Sequence, residues 1–407
     1  MSKTMKRVVI VSAKRTPFGK FLGALADQSP VDLAVAAGQA ALTGINHQLV
    51  DQIILGNVLS AGHGMNIARQ VGVQLGLPIS TPAQTVNMMC GSGMQTALQA
   101  VQAIRAGDAN VILAGGTESM SQSSLIVKRP GKKQEPDFEN IIDSMQRDGL
   151  VDSFSDHHMG MQAEELATEF HLSREQQDAF AQRSQHLFGV AADEAKYSDE
   201  VIPMGELIAD QHPRPEVTRE QLSGLRTVFR KDGTITAGNA SGINDGAAML
   251  LLAEREFAFE QNWPVLAEWV DGVVVGCEPE RMGLGPVHAI SKLQQRTKSN
   301  WNDIDTLEIN EAFAAQTLAC LHQLELKIDL DATDRTNRKV SISTGHQIDF
   351  NSEGGAIAIG HPLAVSGARL LSHLAWKISN GNSTCAIGSL CIGGGMGIAA
   401  MLKSHQS

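Results

Sequence analysis

The sequence predicts a layered α/β protein made of two related halves, with a further segment inserted between them. Strand-like and helix-like patterns alternate along the chain, which favours mixed or parallel sheets covered by helices. One plan of helix, turn and strand occurs twice, once near each end of the chain, and the central segment has no counterpart in the second half.

The repeated plan is marked by a serine and a glycine at a constant separation. Ser92 and Gly107 are as far apart as Ser366 and Gly381, and a short apolar run follows each glycine. A periodic helix, a glycine turn and a buried strand give this pattern. We therefore expect two copies of one structural unit.

A second pair of matching segments precedes these units. Residues 50–57 resemble residues 304–311, but the second copy is about 20 residues longer before its serine, as expected for a surface excursion. We assign the surplus to the polar stretch 329–347, whose role the sequence does not indicate. Loops of both halves converge at the interface between them, where binding sites often form.

The central segment reads as an inserted loop domain. Charged stretches at 128–147 and 210–219 are interrupted by prolines, as in irregular surface structure. Its strongest helix signal is Ser173 followed three residues later by Gln176, which predicts a capping box and a helix start.

Composition limits the function. The chain has 407 residues, 43% of them hydrophobic, which predicts two or three linked cores. With 33 basic and 44 acidic residues the net charge is −11, which argues against nucleic acid as a partner. The N-terminal apolar run is too short for a signal or a membrane span, so we expect a cytoplasmic protein with no membrane association.

Five cysteines are sparse and odd in number, which favours a reducing compartment over a disulfide framework. No pair has the spacing of a zinc site, so no metal is expected. Cys277, Cys320 and Cys385 lie in apolar surroundings and are expected to be small buried side chains.

Cys90 is the first candidate for chemistry. The apolar Val86 precedes it, and Gly91 and a periodic helix follow, so Cys90 should lie at a strand-to-helix turn. The start of a helix lowers the pKa of a thiol, and a thiolate is a strong nucleophile. A buried structural cysteine is the alternative for this residue taken alone.

His361 and Cys391 complete the candidate chemistry. His361 lies between Gly360 and Pro362, five residues before Ser366, as Asn87 lies before Ser92. A histidine in such a turn could act as base for Cys90, although an isolated histidine is more often structural. Cys391 precedes the glycines 393–395; a dinucleotide loop is the rival interpretation, but no βαβ unit or ribose-binding acid follows.

Together these segments identify a resemblance to the thiolases over essentially the full chain. The resemblance implies the thiolase fold, two pseudo-symmetric layered α/β/α/β/α halves with an inserted loop domain. It divides the chain into a first half (1–118 plus 243–265), a loop domain that binds CoA and covers the site (119–242), and a second half (266–407). Beyond the three blocks around Cys90, His361 and Cys391, the matching segments are residues 15–19, 115–121, 237–246 and 310–314.

The resemblance implies ping-pong acyl transfer between CoA thioesters. Cys90 would accept the acyl group, His361 would maintain its thiolate, and Cys391 would remove the α-proton of a second acetyl-CoA. His361 and a water held by Asn310 would stabilise the enolate oxygen. The backbone N–H groups of Cys90 and Gly393 would stabilise the oxygen of the acyl-enzyme.

The resemblance also assigns the substrate-binding residues. Ser241 would contact pantetheine, Arg214 would meet the nucleotide end of CoA, and Phe313 would lie against the substrate. His158 and Met159 belong to a His-Met-Gly pattern of short-chain thiolases, in which the methionine closes off the acyl pocket. The implied substrates are acetyl-CoA, acetoacetyl-CoA and CoA, and no separate cofactor is expected.

A short-chain acetyl-CoA C-acetyltransferase is therefore the leading expectation. A 3-ketoacyl-CoA thiolase of fatty acid breakdown is the main competitor, and a non-catalytic thiolase-like lipid carrier is a third possibility. Ketosynthases and hydroxymethylglutaryl-CoA synthases on the same fold lack a cysteine at the position of Cys391. The resemblance further implies a homodimer or homotetramer, with residues 62–66 in the dimer contact.

Four departures from the family pattern are visible. Thr117 and Glu353 replace the commoner methionine and asparagine, away from the catalytic set. Gln162 stands where threonine is common, and residues 364–365 replace a pair that usually contains glycine. The last two lie close enough to the pocket to alter its shape.

Overall fold

In the computed structural model, the described residues are 5–330 and 337–405. The strands of this part of the chain are β1 (Val8–Arg15), β2 (Gly19–Lys20), β3 (Gln52–Gly56), β4 (Ala83–Val86), β5 (Val111–Ser119), β6 (Leu125–Ile126), β7 (Ile142–Asp143), β8 (Asn244–Glu254), β9 (Ala267–Gly276), β10 (Thr306–Ile309), β11 (Lys327–Ile328), β12 (Lys339–Ser341), β13 (Gln347–Phe350), β14 (Cys385–Ile392) and β15 (Met396–Lys403).

The α-helices of the same residues are α1 (Pro30–Ala41), α2 (Ile67–Gln74), α3 (Ser92–Ala106), α4 (Met159–Glu169), α5 (Arg174–Asp193), α6 (Arg219–Ser223), α7 (Arg255–Glu260), α8 (Gly285–Thr297), α9 (Ala314–Gln323), α10 (Ala356–Ile359) and α11 (Ser366–Ser379). A π-helical turn spans Met145–Leu150. Short 3-10 turns connect several of these elements.

The two halves have the same strand order. In the first half the order is β1-β8-β5-β3-β4, and in the second it is β9-β15-β14-β10-β13. In each half the middle strand of the last three is parallel to both of its neighbours, and the remaining pairs are antiparallel. The predicted mixed sheets and the predicted repeat are therefore confirmed.

The halves are joined edge to edge. β1 pairs antiparallel with β9, which makes one continuous sheet, and β11 and β12 extend its far edge beyond β13. β12 lies within the polar stretch 329–347 and β11 just before it, and residues 331–336 of that stretch lie outside the described residues.

Alternating side chains divide the molecule into five layers. On β5, Ile112 and Ala114 pack into the central cluster with α3 and α11, whereas Val111 and Leu113 pack into the outer cluster with α1 and α2. In the second half, α8 and α9 cover the outer face. Because the strands are buried on both faces, they read as continuous apolar runs. The expected α/β/α/β/α layering is confirmed.

The inserted segment contains β6, β7, the π-helical turn and α4 to α6. The capping box predicted at its main helix is confirmed, since Ser173 accepts from the Gln176 backbone N–H while the Gln176 side chain accepts from the Ser173 N–H. α5 packs against α9 and α10 of the second half. This contact fixes the inserted segment over the ends of the strands that carry the candidate site.

Candidate active site

Cys90 lies in the turn between β4 and α3, as predicted. Met89 has a left-handed backbone (φ 48°), and the Ser92 hydroxyl closes the turn by accepting from the Met88 N–H at 2.8 Å and donating to the Met89 carbonyl at 2.7 Å. Gly56 allows close approach, since a Cβ there would lie 2.8 Å from the Ser92 Cβ. The thiol is 4% exposed.

His361 lies in the equivalent turn before α11. Gly360 has φ 114° and packs against Asn244, whose side-chain oxygen accepts from the His361 N–H at 3.0 Å. Nδ1 of His361 hydrogen-bonds the Ser366 hydroxyl and lies 3.4 Å from Nδ2 of Asn310. Nε2 of the ring has no hydrogen-bonding partner among the described residues.

The hydroxyl of Ser366 allows either imidazole tautomer. It can donate to the Pro362 carbonyl at 3.1 Å while accepting from Nδ1, or it can donate to Nδ1. The first arrangement leaves Nε2 as a proton acceptor, and the second leaves it as a donor. The ring can therefore serve both as a base and as a hydrogen-bond donor.

Cys391 lies near the end of β14, just before a tight glycine turn into β15. Gly394 and Gly395 have φ values of 86° and 85°, which only glycine adopts at low cost. The backbone N–H groups of Gly393 and Cys90 face the Cys90 sulfur and act to lower the pKa of its thiol. Two donors therefore converge beside the thiol.

A cavity of about 620 Å³ brings the predicted residues together. Its wall contains Cys90, His361 and Cys391, along with the predicted substrate residues His158, Met159, Arg214, Ser241 and Phe313. Asn310 and Gly393 lie behind this wall, in contact with His361 and Met159 respectively. Every candidate site residue predicted from the sequence therefore lines the cavity or contacts a residue that lines it.

Burial dominates the electrostatics of the three reacting groups. Desolvation raises the pKa of Cys90 to about 11, although the Gly393 and Cys90 N–H groups oppose it. Desolvation raises the pKa of Cys391 well above its usual value and lowers that of His361 to about 4. The expectation that the pKa of Cys90 is lowered and the residue is held as a thiolate is therefore wrong for the free protein, because burial outweighs the two N–H donors.

Three of the predicted substrate residues, His158, Phe313 and Arg214, give the cavity aromatic side chains and a cation. His158 caps α4 by accepting from the Gly160 N–H at 3.0 Å, and its ring lies 4.6 Å from that of Phe229. Phe229 also makes an edge contact with Phe313 at 6.0 Å. Arg214 is exposed at the mouth of the cavity. The cavity is therefore lined by aromatic side chains and by one exposed cation, Arg214.

Sequence reasoning assigned no role to Glu118, although the segment containing it matched the family. Its buried carboxylate accepts from the N–H groups of Val58, Leu59 and Ala364 at 3.2, 3.0 and 3.1 Å, and from the Asn57 amide at 3.1 Å. Burial raises its pKa to about 7. A single carboxyl within the apolar strand 111–119 was the available signal.

The three other cysteines do not line the cavity. Cys320 is buried, as expected. Cys277 and Cys385 are half-buried, so the expectation is wrong for these two, because one follows the end of β9 and the other begins β14.

In residues 5–330 and 337–405, no cluster of three or more His, Cys, Asp or Glu side chains could hold a metal ion. In the same part of the chain no helix combines the length and apolarity needed to cross a membrane.

Family models match nearly the full chain. The description "Thiolase, N-terminal domain" matches residues 8–256, and "Thiolase, C-terminal domain" matches residues 263–404. A protein of Staphylococcus aureus named probable acetyl-CoA acyltransferase is 42% identical over 99% of this chain and 100% of its own length.

Two solved structures have nearly the same fold. Human mitochondrial 3-ketoacyl-CoA thiolase in complex with CoA is 40% identical, with a TM-score of 0.89 and 98% of each chain covered. The acetyl-CoA acetyltransferase of Bacillus anthracis is 36% identical, with a TM-score of 0.89, over 99% of this chain and 100% of that one.

Proposed function

The chain belongs to the thiolase family of acyl-CoA acyltransferases, and from that premise we propose that it is an acetyl-CoA C-acetyltransferase. It would condense two molecules of acetyl-CoA to acetoacetyl-CoA and CoA, and catalyse the reverse thiolysis. The observation that carries this proposal is the convergence of Cys90, His361 and Cys391 in one apolar cavity. CoA binding is supported by the human relative, whose structure holds CoA.

In the first half-reaction, the Cys90 sulfur attacks the thioester carbonyl of acetyl-CoA. Since burial disfavours a free thiolate, the proton of Cys90 passes to Nε2 of His361 as the sulfur–carbon bond forms. The N–H groups of Cys90 and Gly393 stabilise the oxyanion, each worth about 2.7–4 kcal/mol by analogy with other oxyanion holes. CoA departs with a proton from Cys391, which leaves the Cys391 thiolate.

In the second half-reaction, this thiolate removes the α-proton of a second acetyl-CoA. The protonated His361 and a water held by Asn310 stabilise the enolate oxygen. The α-carbon then attacks the acetyl group on Cys90, and the departing sulfur recovers its proton from His361. Both thiols and the imidazole return to their initial neutral states, and the reverse sequence of steps is thiolysis.

The short-chain assignment is supported by Met159. Its side chain is buried in a cluster with Cys391, Met282 and Ala312, and its sulfur lies 2.8 Å from where a Cβ of Gly393 would lie. A long acyl chain has little room on that side. The main alternative is a 3-ketoacyl-CoA thiolase of fatty acid breakdown, which the likeness to the human enzyme favours.

Thiolysis of acetoacetyl-CoA and of a long-chain 3-ketoacyl-CoA tests the proposal. We expect CoA-dependent cleavage of the four-carbon substrate by the intact protein, its loss in Cys90→Ala, and its retention in Cys385→Ala, which removes a half-buried thiol outside the cavity. Preference for the long chain would establish the alternative. Cleavage of neither substrate would favour a non-catalytic carrier.

The homodimer or homotetramer implied by the family remains a prediction, which light scattering would test. β4 is the terminal strand of the sheet, so its outer edge is unpaired within the described chain. Met65, in the segment 62–66 assigned to the contact, is 90% exposed. An unpaired edge and an exposed apolar side chain are features that a second subunit can cover.

A further inference from the structure

The side chain of Leu150 is part of the cavity wall and packs near both thiols. Cys90 packs in an apolar cluster with Leu363, and Cys391 packs in another with Met159. Leu150 packs against both clusters and lines the cavity. Leu150 is therefore placed to contact an acyl chain carried on Cys90.

Leu150 is the last residue of the π-helical turn Met145–Leu150. Such turns are rare, and they often occur at functional sites because the wider turn redirects a side chain. The turn is held at its start by the Asp143 side chain, which accepts from the Met145 N–H at 2.9 Å. Its geometry determines the direction of Leu150.

The turn is also seated against the catalytic loop. A Cβ at Gly149 would lie 3.1 Å from Cδ1 of Leu363 and 3.5 Å from Cδ2 of Leu59. Leu363 follows His361 by two residues. The backbone of the turn therefore keeps Leu150 in register with the imidazole and the Cys90 pocket.

We propose that Leu150 is a specificity-determining residue, and that the π-helical turn limits the length of the acyl group held on Cys90. This inference rests on the proposed acyl transfer. Met159 bounds the cavity beside Gly393, whereas Leu150 bounds it beside Cys90. Leu150 also packs against the cluster that contains Met159, so the two side chains form adjoining parts of one wall.

The test compares kcat/KM for 3-ketooctanoyl-CoA and acetoacetyl-CoA in wild type and in variants of Leu150. Leu150→Ala should raise the ratio of the long to the short substrate by about tenfold or more, because one methylene in an apolar pocket discriminates by roughly 10–200-fold. Leu150→Phe should lower it. Leu207→Ala, a matched truncation of a half-buried leucine outside the cavity, should leave the ratio unchanged.

A second readout isolates the acyl-enzyme. Intact mass measured after incubation with octanoyl-CoA or acetyl-CoA gives the fraction of Cys90 acylated, and Leu150→Ala should favour the longer group. Should that variant fail to fold, Leu150→Val tests the same direction with a smaller change. Equal ratios in wild type and all folded variants overturn the role of Leu150 while acyl transfer stands. A wild type that cleaves neither substrate and forms no acyl-enzyme overturns both proposals.

Discussion

The location of the Cys90 proton decides how the cavity reacts. Burial makes both the thiolate and the imidazolium costly, since it raises the pKa of Cys90 to about 11 and lowers that of His361 to about 4. The resting pair is therefore neutral. In the proposed mechanism the nucleophile therefore forms only as the proton of Cys90 moves to Nε2 of His361 during attack.

Replacing His361, which accepts the proton in the proposed mechanism, should slow this step. We expect His361→Asn to slow acylation of Cys90 by acetyl-CoA by about 10²- to 10⁴-fold, the usual contribution of a positioned base. The burst of CoA release in a stopped-flow experiment measures the step. The exposed His288 supplies a control, since His288→Asn should keep the full burst. An undiminished burst in His361→Asn would rule out His361 as the base.

The packing of β5 against the catalytic loop depends on glycine. A Cβ at Gly116 would lie 1.9 Å from the carbonyl oxygen of Ala364, and one at Gly93 on α3 would lie 2.6 Å from the same oxygen. Both contacts are with backbone, which cannot rotate away. The backbone of the first half therefore packs directly against the loop that carries His361.

Gly116→Ala should disturb both stability and catalysis. We expect a loss of about 1–3 kcal/mol or more, as for overpacked cores, together with a lower kcat because the displaced loop moves the imidazole. Thermal unfolding at a fixed scan rate and steady-state kinetics measure the two effects. In Gly276→Ala, where no described atom lies within 4 Å of the new Cβ, neither should change. Wild-type behaviour of Gly116→Ala would contradict the close approach.

A buried ion cluster joins the three parts of the molecule. His373 on α11 lies 3.1 Å from a carboxylate oxygen of Glu200 in the inserted segment and 3.0 Å from one of Glu353 in the second half. Arg15 on β1 lies 2.8 Å from Glu200. Lys377 lies 3.8 Å from Glu353, the residue that departs from the family pattern. Glu353 therefore has two basic neighbours in the core, His373 and Lys377.

The cluster should make stability depend on pH. The two carboxylates raise the pKa of His373 from 6.5 to about 10, despite burial, which lowers it. Its contribution is therefore complete below pH 6.5 and is lost as pH rises toward 10. Despite burial, which raises them, the pKa values of Glu200 and Glu353 fall from 4.5 to about 2, so their contribution is lost below pH 4.5.

The unfolding temperature, measured at pH 6, 8 and 10, tests this dependence. We expect wild type to lose stability steadily above pH 6.5. His373→Gln should be less stable at pH 6, by about 3–5 kcal/mol as for a broken buried ion pair, and should lose most of the alkaline slope. The exposed His288→Gln should follow wild type. Parallel curves for wild type and His373→Gln would show that the cluster does not titrate in this range.

Patterns within short segments of the sequence predicted much of the fold and of the candidate site. Strands buried on both faces read as apolar runs, the repeated serine–glycine spacing predicted two equivalent units, and Ser173 with Gln176 predicted a helix start. The glycine-flanked positions of Cys90, His361 and Cys391 predicted one reactive site. Each of these features lies within one short segment or in the repetition of such a segment, so one sequence is enough to reveal them.

The tertiary structure decided what depends on distant neighbours. Burial is the largest influence on the pKa of Cys90, and burial is known only once both halves are packed. The donors to Glu118 come from two segments far apart in the chain, residues 57–59 and Ala364. Leu150 packs against the clusters of both thiols from the end of a π-helical turn that no sequence period indicates. Desolvation and packing depend on the three-dimensional surroundings of a group, whereas periodicity and capping depend on its neighbours along the chain.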